Sequence, residues 1–135
     1  SGPLMDRFDL QITVASVSYK DLDHAVGGDG SSQIAARVAN ARQRQAERFH
    51  DMPGLRTNAD AEGEVLDRIA TPDDGGRALL LRSAERFGLS ARGYHRALRV
   101  ARTIADIDGA EQVGEDHVAE ALGYRHLARI KTNAA

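Results

Sequence analysis

Residues Leu89–Gly109, LSARGYHRALRVARTIADIDG, decide how the rest of the chain is read. They describe one complete helix. Ser90 stands at its head, where a hydroxyl oxygen can accept from a free amide one turn on. Tyr94, Ala97, Leu98, Ala101, Ile104 and Ala105 recur at i, i+3, i+4 and i+7, a single apolar stripe of helical period. Gly109 supplies the stop, since glycine enters the left-handed position after a helix without penalty. Arg92 falls near N2, where the peptide dipoles already present positive charge. A cation there costs about 0.3–1 kcal/mol unless an anion sits close by. Helix N-termini bind phosphate through their exposed amides, and an arginine adds a bidentate grip on the same group. A merely solvated Arg92 is the plain alternative.

Working outward, Thr71 and Pro72 are expected to open the preceding helix, because proline tolerates the first turn. That helix runs to about Phe87, burying Leu80, Leu81, Ala84 and Phe87, and Gly88 ends it. A short helix over 62–70 turns Val65, Leu66 and Ile69 inward, and a last one over about 115–129 carries Val118, Ala121, Leu122 and Leu127. Upstream, Ser31 or Ser32 caps a long helix over about 33–50. Its apolar stripe is thin (Ile34, Val38, Ala41, Phe49), so it is peripheral or lies against a partner. Residues 51–60, with Met52, Pro53 and Gly54, read as a loop, and Gly27, Gly28, Asp29 and Gly30 as a flexible break. Near the start, Asp9–Val14 (DLQITV) alternates apolar and polar residues like a strand, with Leu10, Ile12 and Val14 on one face. No second strand follows, and a lone strand leaves its backbone groups unpaired. It is expected to belong to a sheet outside this chain or to pair with another copy. The fold expected is mainly α: a small bundle of about four to five helices preceded by one orphan strand.

The chain has 135 residues, 41% of them hydrophobic, and a net charge of −2. That is one domain's worth of ordinary globular composition, with no global charge argument for nucleic acid. Basic charge is local: Arg37, Arg42, Arg44 and Arg48 in one segment, Arg92, Arg96, Arg99 and Arg102 in another. With no cysteine, disulfides and thiolate metal sites are excluded. No apolar run approaches a membrane span and no signal-peptide pattern opens the chain, so a cytoplasmic location is expected. His24, His50, His95, His117 and His126 lack zinc-site spacing, and no metal ligands are assigned. Asp106, Asp108 and Glu111 do not match a calcium loop. Asp73 and Asp74 read as helix-start acids. No self-contained active site emerges.

Three quoted stretches carry a resemblance. SGPLMDRFDLQITV (1–14), GLSARGYHRALRVARTIADIDGAE (88–111) and HVAEALGYR (117–125) together resemble the C-terminal part of the magnesium-chelatase-like AAA+ ATPases, in particular the ComM/YifB group. The resemblance covers nearly the whole chain and is weakest between Leu55 and Asp74. It implies that residues 1–17 are the tail of an AAA+ core, with the arginine-finger segment and last strand. Residues 18–60 are then a linker with a long polar helix, and 61–135 the helical lid. The Gly-rich phosphate loop of such a core, GxxxxGK[ST], does not occur here.

MDRFDL is similar to the MCM-type SRFDL motif, and the resemblance gives Arg7 the role of arginine finger, supplied across a subunit interface to the transferring phosphoryl group. The plain alternative for Arg7 is an ion pair with Asp6 or Asp9. Arg92 matches the arginine of the SAR motif, the second sensor, which reads the γ-phosphate of ATP. On this scheme Arg92 touches its own subunit's nucleotide and Arg7 a neighbour's. Arg96 and Arg99 solvate the outer face or pair with acids. Gly93 stands where alanine is common. The parent would be a hexameric ring using ATP and Mg, acting on DNA as a helicase or branch-migration motor, with this piece inactive alone and holding no cofactor. Two other readings stay open. One is an autonomous helical module binding nucleic acid or protein through Arg37–Arg48; the other is the ATPase subunit of a magnesium chelatase.

Overall fold

Helix α6 (Ala91–Asp108) is the axle of the structure, and its two ends are built as the sequence implies. Ser90 accepts from the Gly93 amide at 3.0 Å. Gly109 closes the helix in the left-handed region at φ 74, where its N–H returns to the Ala105 and Asp106 carbonyls. Around it stand α3 (Ser31–Phe49), α4 (Gly63–Ala70), α5 (Asp74–Phe87) and α7 (Glu115–Asn133). Helices α3, α4 and α7 pack directly on α6, and α5 packs on α7. Two short pieces, α1 (Gly2–Met5) and α2 (Tyr19–Asp23), precede them, and a 3₁₀ turn spans Asn58–Asp60. The computed structural model describes residues 2–24 and 27–133, with side chains over 3–24 and 27–125. Ser1 and the expected packing of Leu127 lie outside that description.

The core is one cluster. Ala97, Leu98, Ala101 and Ala105 of α6 meet Leu66 and Ala70 of α4, Leu80 of α5, Phe49 of α3, and Val118, Ala121 and Leu122 of α7. Small residues dominate the α6 stripe, which lets three helices approach it closely. Fully burying a Leu or Phe contributes about 1.5–3 kcal/mol each. Between the helices, Pro72 and Val113 form an isolated parallel bridge, with Asp73 N–H donating to the Val113 carbonyl at 2.9 Å.

Several expectations are corrected. Helix α5 begins at Asp74, because Pro72 is engaged in the bridge and the Asp73 carboxylate, accepting from Gly76 N–H at 2.7 Å, is the cap. Helix α3 is capped at Gly30, whose N–H donates to the Gln33 side chain. Leu81 is half exposed, since α5 turns Leu80 to the core instead. Residues 51–60 are not all loop, because Asn58–Asp60 coil into the 3₁₀ turn. Asp9–Val14 forms no strand, and none is present among the described residues. Leu10, Ile12 and Val14 are exposed, and Gln11 N–H donates to the Tyr124 carbonyl at 2.9 Å. Alternation makes a strand only where a sheet edge supplies partners. Among the described residues, no helix is long and apolar enough to cross a membrane.

Candidate functional site

The N-terminal end of α6 forms one wall of a cleft of about 740 Å³. Ser90 fixes Arg92 at the second helical position, and the first turn carries no acid to balance it. Arg92, His95, Arg96 and Arg99 rise along one side of α6 at helical spacing and line the cleft. Glu62 and Gly63, where α4 begins, form another edge. The remaining lining residue is Arg7, delivered from near the start of the sequence. The two residues assigned phosphate roles by resemblance are thus brought to one cavity.

The four arginines are not equivalent. Arg96 is tied to Asp9 at 2.8 Å. Arg99 donates through Nε to the Ala61 carbonyl at 2.8 Å and stands 3.8 Å from Glu62. That carbonyl is presented by a turn that Asp60 closes, its carboxylate accepting from the Arg56 and Thr57 amides. Those two backbone bonds hold the Asp60 carboxyl below its ordinary range. Arg7 is exposed and makes no ion pair with Asp6 or Asp9, since Asp6 is turned to Ser90 and Arg125 and Asp9 to Arg96. Arg92 is likewise exposed, and neither it nor Arg7 has an ion pair among the described residues. His95 stands edge-on to Tyr94, ring centroids 5.8 Å apart.

Four arginines against one glutamate give the lining a strong positive excess. Its chemistry is that of an anion clamp: planar guanidinium forks at a helix N-terminus, able to hold phosphate oxygens. The lining holds no serine, cysteine or lysine nucleophile. Sequence reasoning left out His95 and the supports Asp6, Asp9 and Arg125. The one available signal was the pair of aspartates flanking Arg7.

Arg102, grouped by sequence with the cleft arginines, points the other way. Its guanidinium is buried and donates to the Ile69, Ala110 and Glu111 carbonyls and to Asp106. Asp106, also buried, accepts from Arg48 at 2.6 and 2.9 Å and from Asn58 at 2.8 Å. Burial by itself would raise the Asp106 carboxyl, but the bonds from Arg48 and Asn58 and the charge of Arg102 outweigh it, and the net direction is downward. Burial pulls the Arg102 guanidinium below its ordinary value, against the opposing effect of Asp106. This knot fastens α3 and the 3₁₀ turn to the C-terminal end of α6.

Comparison with known proteins agrees with this architecture. Residues 28–125 match the family described as magnesium chelatase, subunit ChlI C-terminal. The chain is similar to Competence protein ComM of Haemophilus influenzae, 37% identical over 131 residues, which covers 96% of this chain and 25% of the relative. It is 39% identical over 125 residues to an uncharacterised protein of Mycobacterium bovis, covering 93% of this chain and 24% of that one. With YifB of Salmonella typhimurium it shares 35% identity over 131 residues, 96% of this chain and 25% of the relative. The chain therefore spans about a quarter of the length of the curated relatives it matches. With its helical bundle and a family match over most of its residues, the chain belongs to the magnesium chelatase ChlI C-terminal family, as a ComM/YifB-type domain related to AAA+ lids.

Proposed function

We propose that this chain is the nucleotide-sensing lid of an AAA+ ATPase, in which Arg7 and Arg92 grip the phosphates of a single bound ATP. The observation that carries this reading is their convergence on one positively charged cleft from positions far apart in the sequence. The cleft suits a polyphosphate: two guanidinium groups without ion pairs among the described residues, one at a helix N-terminus, and a surplus of positive lining. The phosphate loop and the magnesium ligands belong to a core outside these residues, and the chain by itself is inactive. MgATP bound there supplies the transferable phosphoryl group. Arg7 then stabilises charge on that group as an arginine finger, and Arg92 reports its presence to α6. One cleft serves one nucleotide. The shared lining favours both guanidinium groups acting on one nucleotide, while the resemblance gives Arg92 its own subunit's nucleotide and Arg7 a neighbour's.

The parent is proposed to be a ring, a hexamer, acting on DNA as a helicase or branch-migration motor in the cytoplasm. The competence name of one relative fits DNA handling. A magnesium chelatase subunit shares the same domain, and metal insertion into a porphyrin by the parent would select that alternative. The autonomous nucleic-acid module has less to work with. Of the α3 arginines, Arg37 is tied to Asp29 at 2.6 Å and Arg48 to Asp106, leaving Arg42 and Arg44. The test is ATP turnover by the full-length protein. Arg7→Ala is expected to lower kcat on the order of 10³-fold or more, and Arg92→Ala to lower it as well. Wild-type turnover in both variants removes these roles.

A further inference from the structure

If the cleft works as proposed above, Arg7 has to stand at a fixed place relative to α6. The segment that carries it has little apolar anchoring, because Leu4, Phe8 and Leu10 are each about half exposed. Polar anchors hold it instead. On one side of Arg7, the Asp6 carboxylate accepts from the Ser90 hydroxyl at 3.0 Å. On the other, Asp9 pairs with Arg96 at 2.8 Å. Beneath both, Arg125 of α7 donates through Nη1 to the Phe8 carbonyl at 3.0 Å, and its Nη2 lies 3.5 Å from Asp6. The Arg125 side chain is only 4% exposed, so this charge is held against the Arg7 segment and away from solvent.

The Ser90 oxygen joins the two halves. It caps α6 by accepting from Gly93 N–H, and its own proton goes to Asp6. Arg125 reaches this junction by passing close to Gly93, where an added Cβ would lie 3.1 Å from Nη2 and 3.3 Å from the Ser90 oxygen. The glycine at this position leaves that passage open. We propose that Arg125, acting through Asp6 and the Phe8 carbonyl, is a positioning residue that sets Arg7 relative to Arg92. This rests on the cleft being the nucleotide site. The position of the segment itself can be measured independently of that reading.

The chain contains no cysteine, so Leu10→Cys with Ala91→Cys gives two unique sites for nitroxide labels. The expected result is one narrow distance between the labels, broadened by Arg125→Met and by Asp6→Asn, with the double variant no broader than Arg125→Met alone. Asp6 lies outside the bundle core, so Asp6→Asn is expected to leave helicity and the melting temperature unchanged. It decides the matter should Arg125→Met fail to fold. An unchanged distance distribution in Asp6→Asn, and in Arg125→Met where that variant folds, overturns the proposal. In the full-length protein, Arg125→Met is expected to lower kcat roughly tenfold or more with little change in KM, the signature of an interaction lost in the transition state. If Arg7→Ala and Arg92→Ala leave turnover unchanged, the nucleotide reading fails, while the label distances still decide whether Arg125 positions the segment.

Discussion

Replacing Asp106 with asparagine should be among the most damaging conservative changes in this chain. Its two carboxylate oxygens take five donated bonds. Oδ1 accepts from Arg48 Nη2, Arg102 Nε and Arg102 Nη2, and Oδ2 accepts from Arg48 Nη1 and Asn58 Nδ2. The Asp106 side chain is fully buried, Arg102 is 4% exposed and Arg48 19%. An amide fits the same space but removes the charge and turns an NH₂ toward guanidinium donors. Two arginines are then left facing each other with little solvent. Breaking a buried pair in this way costs about 3–5 kcal/mol, a large share of the roughly 5–15 kcal/mol a domain holds. For a chain of this size that lowers the melting temperature by roughly 10–18 °C. Thermal and urea unfolding of Asp106→Asn measure it directly. The triple variant Arg48→Met, Arg102→Met, Asp106→Leu should recover much of the loss, because removing all the charges also removes their desolvation cost. A loss below about 1 kcal/mol in Asp106→Asn, the size of an exposed pair, would refute the assignment of this knot as the tie between α3 and α6.

Two further outcomes follow from the same packing. The Asp106 carboxyl is depressed in the folded state, so the stability it contributes is full above its unfolded value of about 3.9 and is lost as pH falls through the lower folded value. Melts taken down to about pH 2 should show an acid loss in the wild type that is missing from Asp106→Asn; equal acid profiles would contradict it. Gly76→Ala should destabilise by about 1–2 kcal/mol despite the better helix propensity of alanine. Its Cβ would meet Pro72 at 3.0 Å and a Val118 methyl at 3.2 Å, whereas Gly123→Ala, with nothing within 4 Å, should be neutral or stabilising. A Gly76→Ala protein as stable as the parent, read by urea unfolding, would mean that α5 can shift away from α7.

Much of α6 was legible because its signals are local. A cap, a stripe and a glycine stop lie within one continuous stretch, and each has a single structural meaning. Arg92 inherited that clarity, since its place in the first turn follows from Ser90. Arg102 shows the opposite case. By spacing it joins Arg92, Arg96 and Arg99 as one more charge on a helix, and only the fold reveals Asn58 and Arg48 arriving at Asp106 from far upstream. The start of α5 failed for a related reason. Pro72 and Asp73 are adjacent start signals, and the choice between them is made by Val113 across the bundle. The strand expected at Asp9–Val14 needed a sheet for its pairing, and alternation cannot say where that sheet is.

The arginines follow a gradient that bears on how a lid could respond to its ligand. Deep in the bundle, Arg102 and Arg125 spend their donors on carbonyls and carboxylates, at sites where an unpaired charge would be too costly to keep. Halfway out, Arg96 and Arg99 are partly buried and paired with Asp9, the Ala61 carbonyl and Glu62. At the mouth, Arg7 and Arg92 carry charge with no ion pair among the described residues, and Arg92 does so against the dipole of its own helix. On the proposed function, an arriving phosphate would offset the Arg92 charge that its own helix dipole opposes and meet the Arg7 charge left without an ion pair. In the layer beneath, Arg96 is paired with Asp9 through Nη1 while its buried Nε has no hydrogen-bond partner among the described residues. On the proposed positioning role of Arg125, the Ser90–Asp6–Arg125 junction ties the Arg7 segment to the head of α6, so the two mouth charges keep one spacing when a phosphate binds between them.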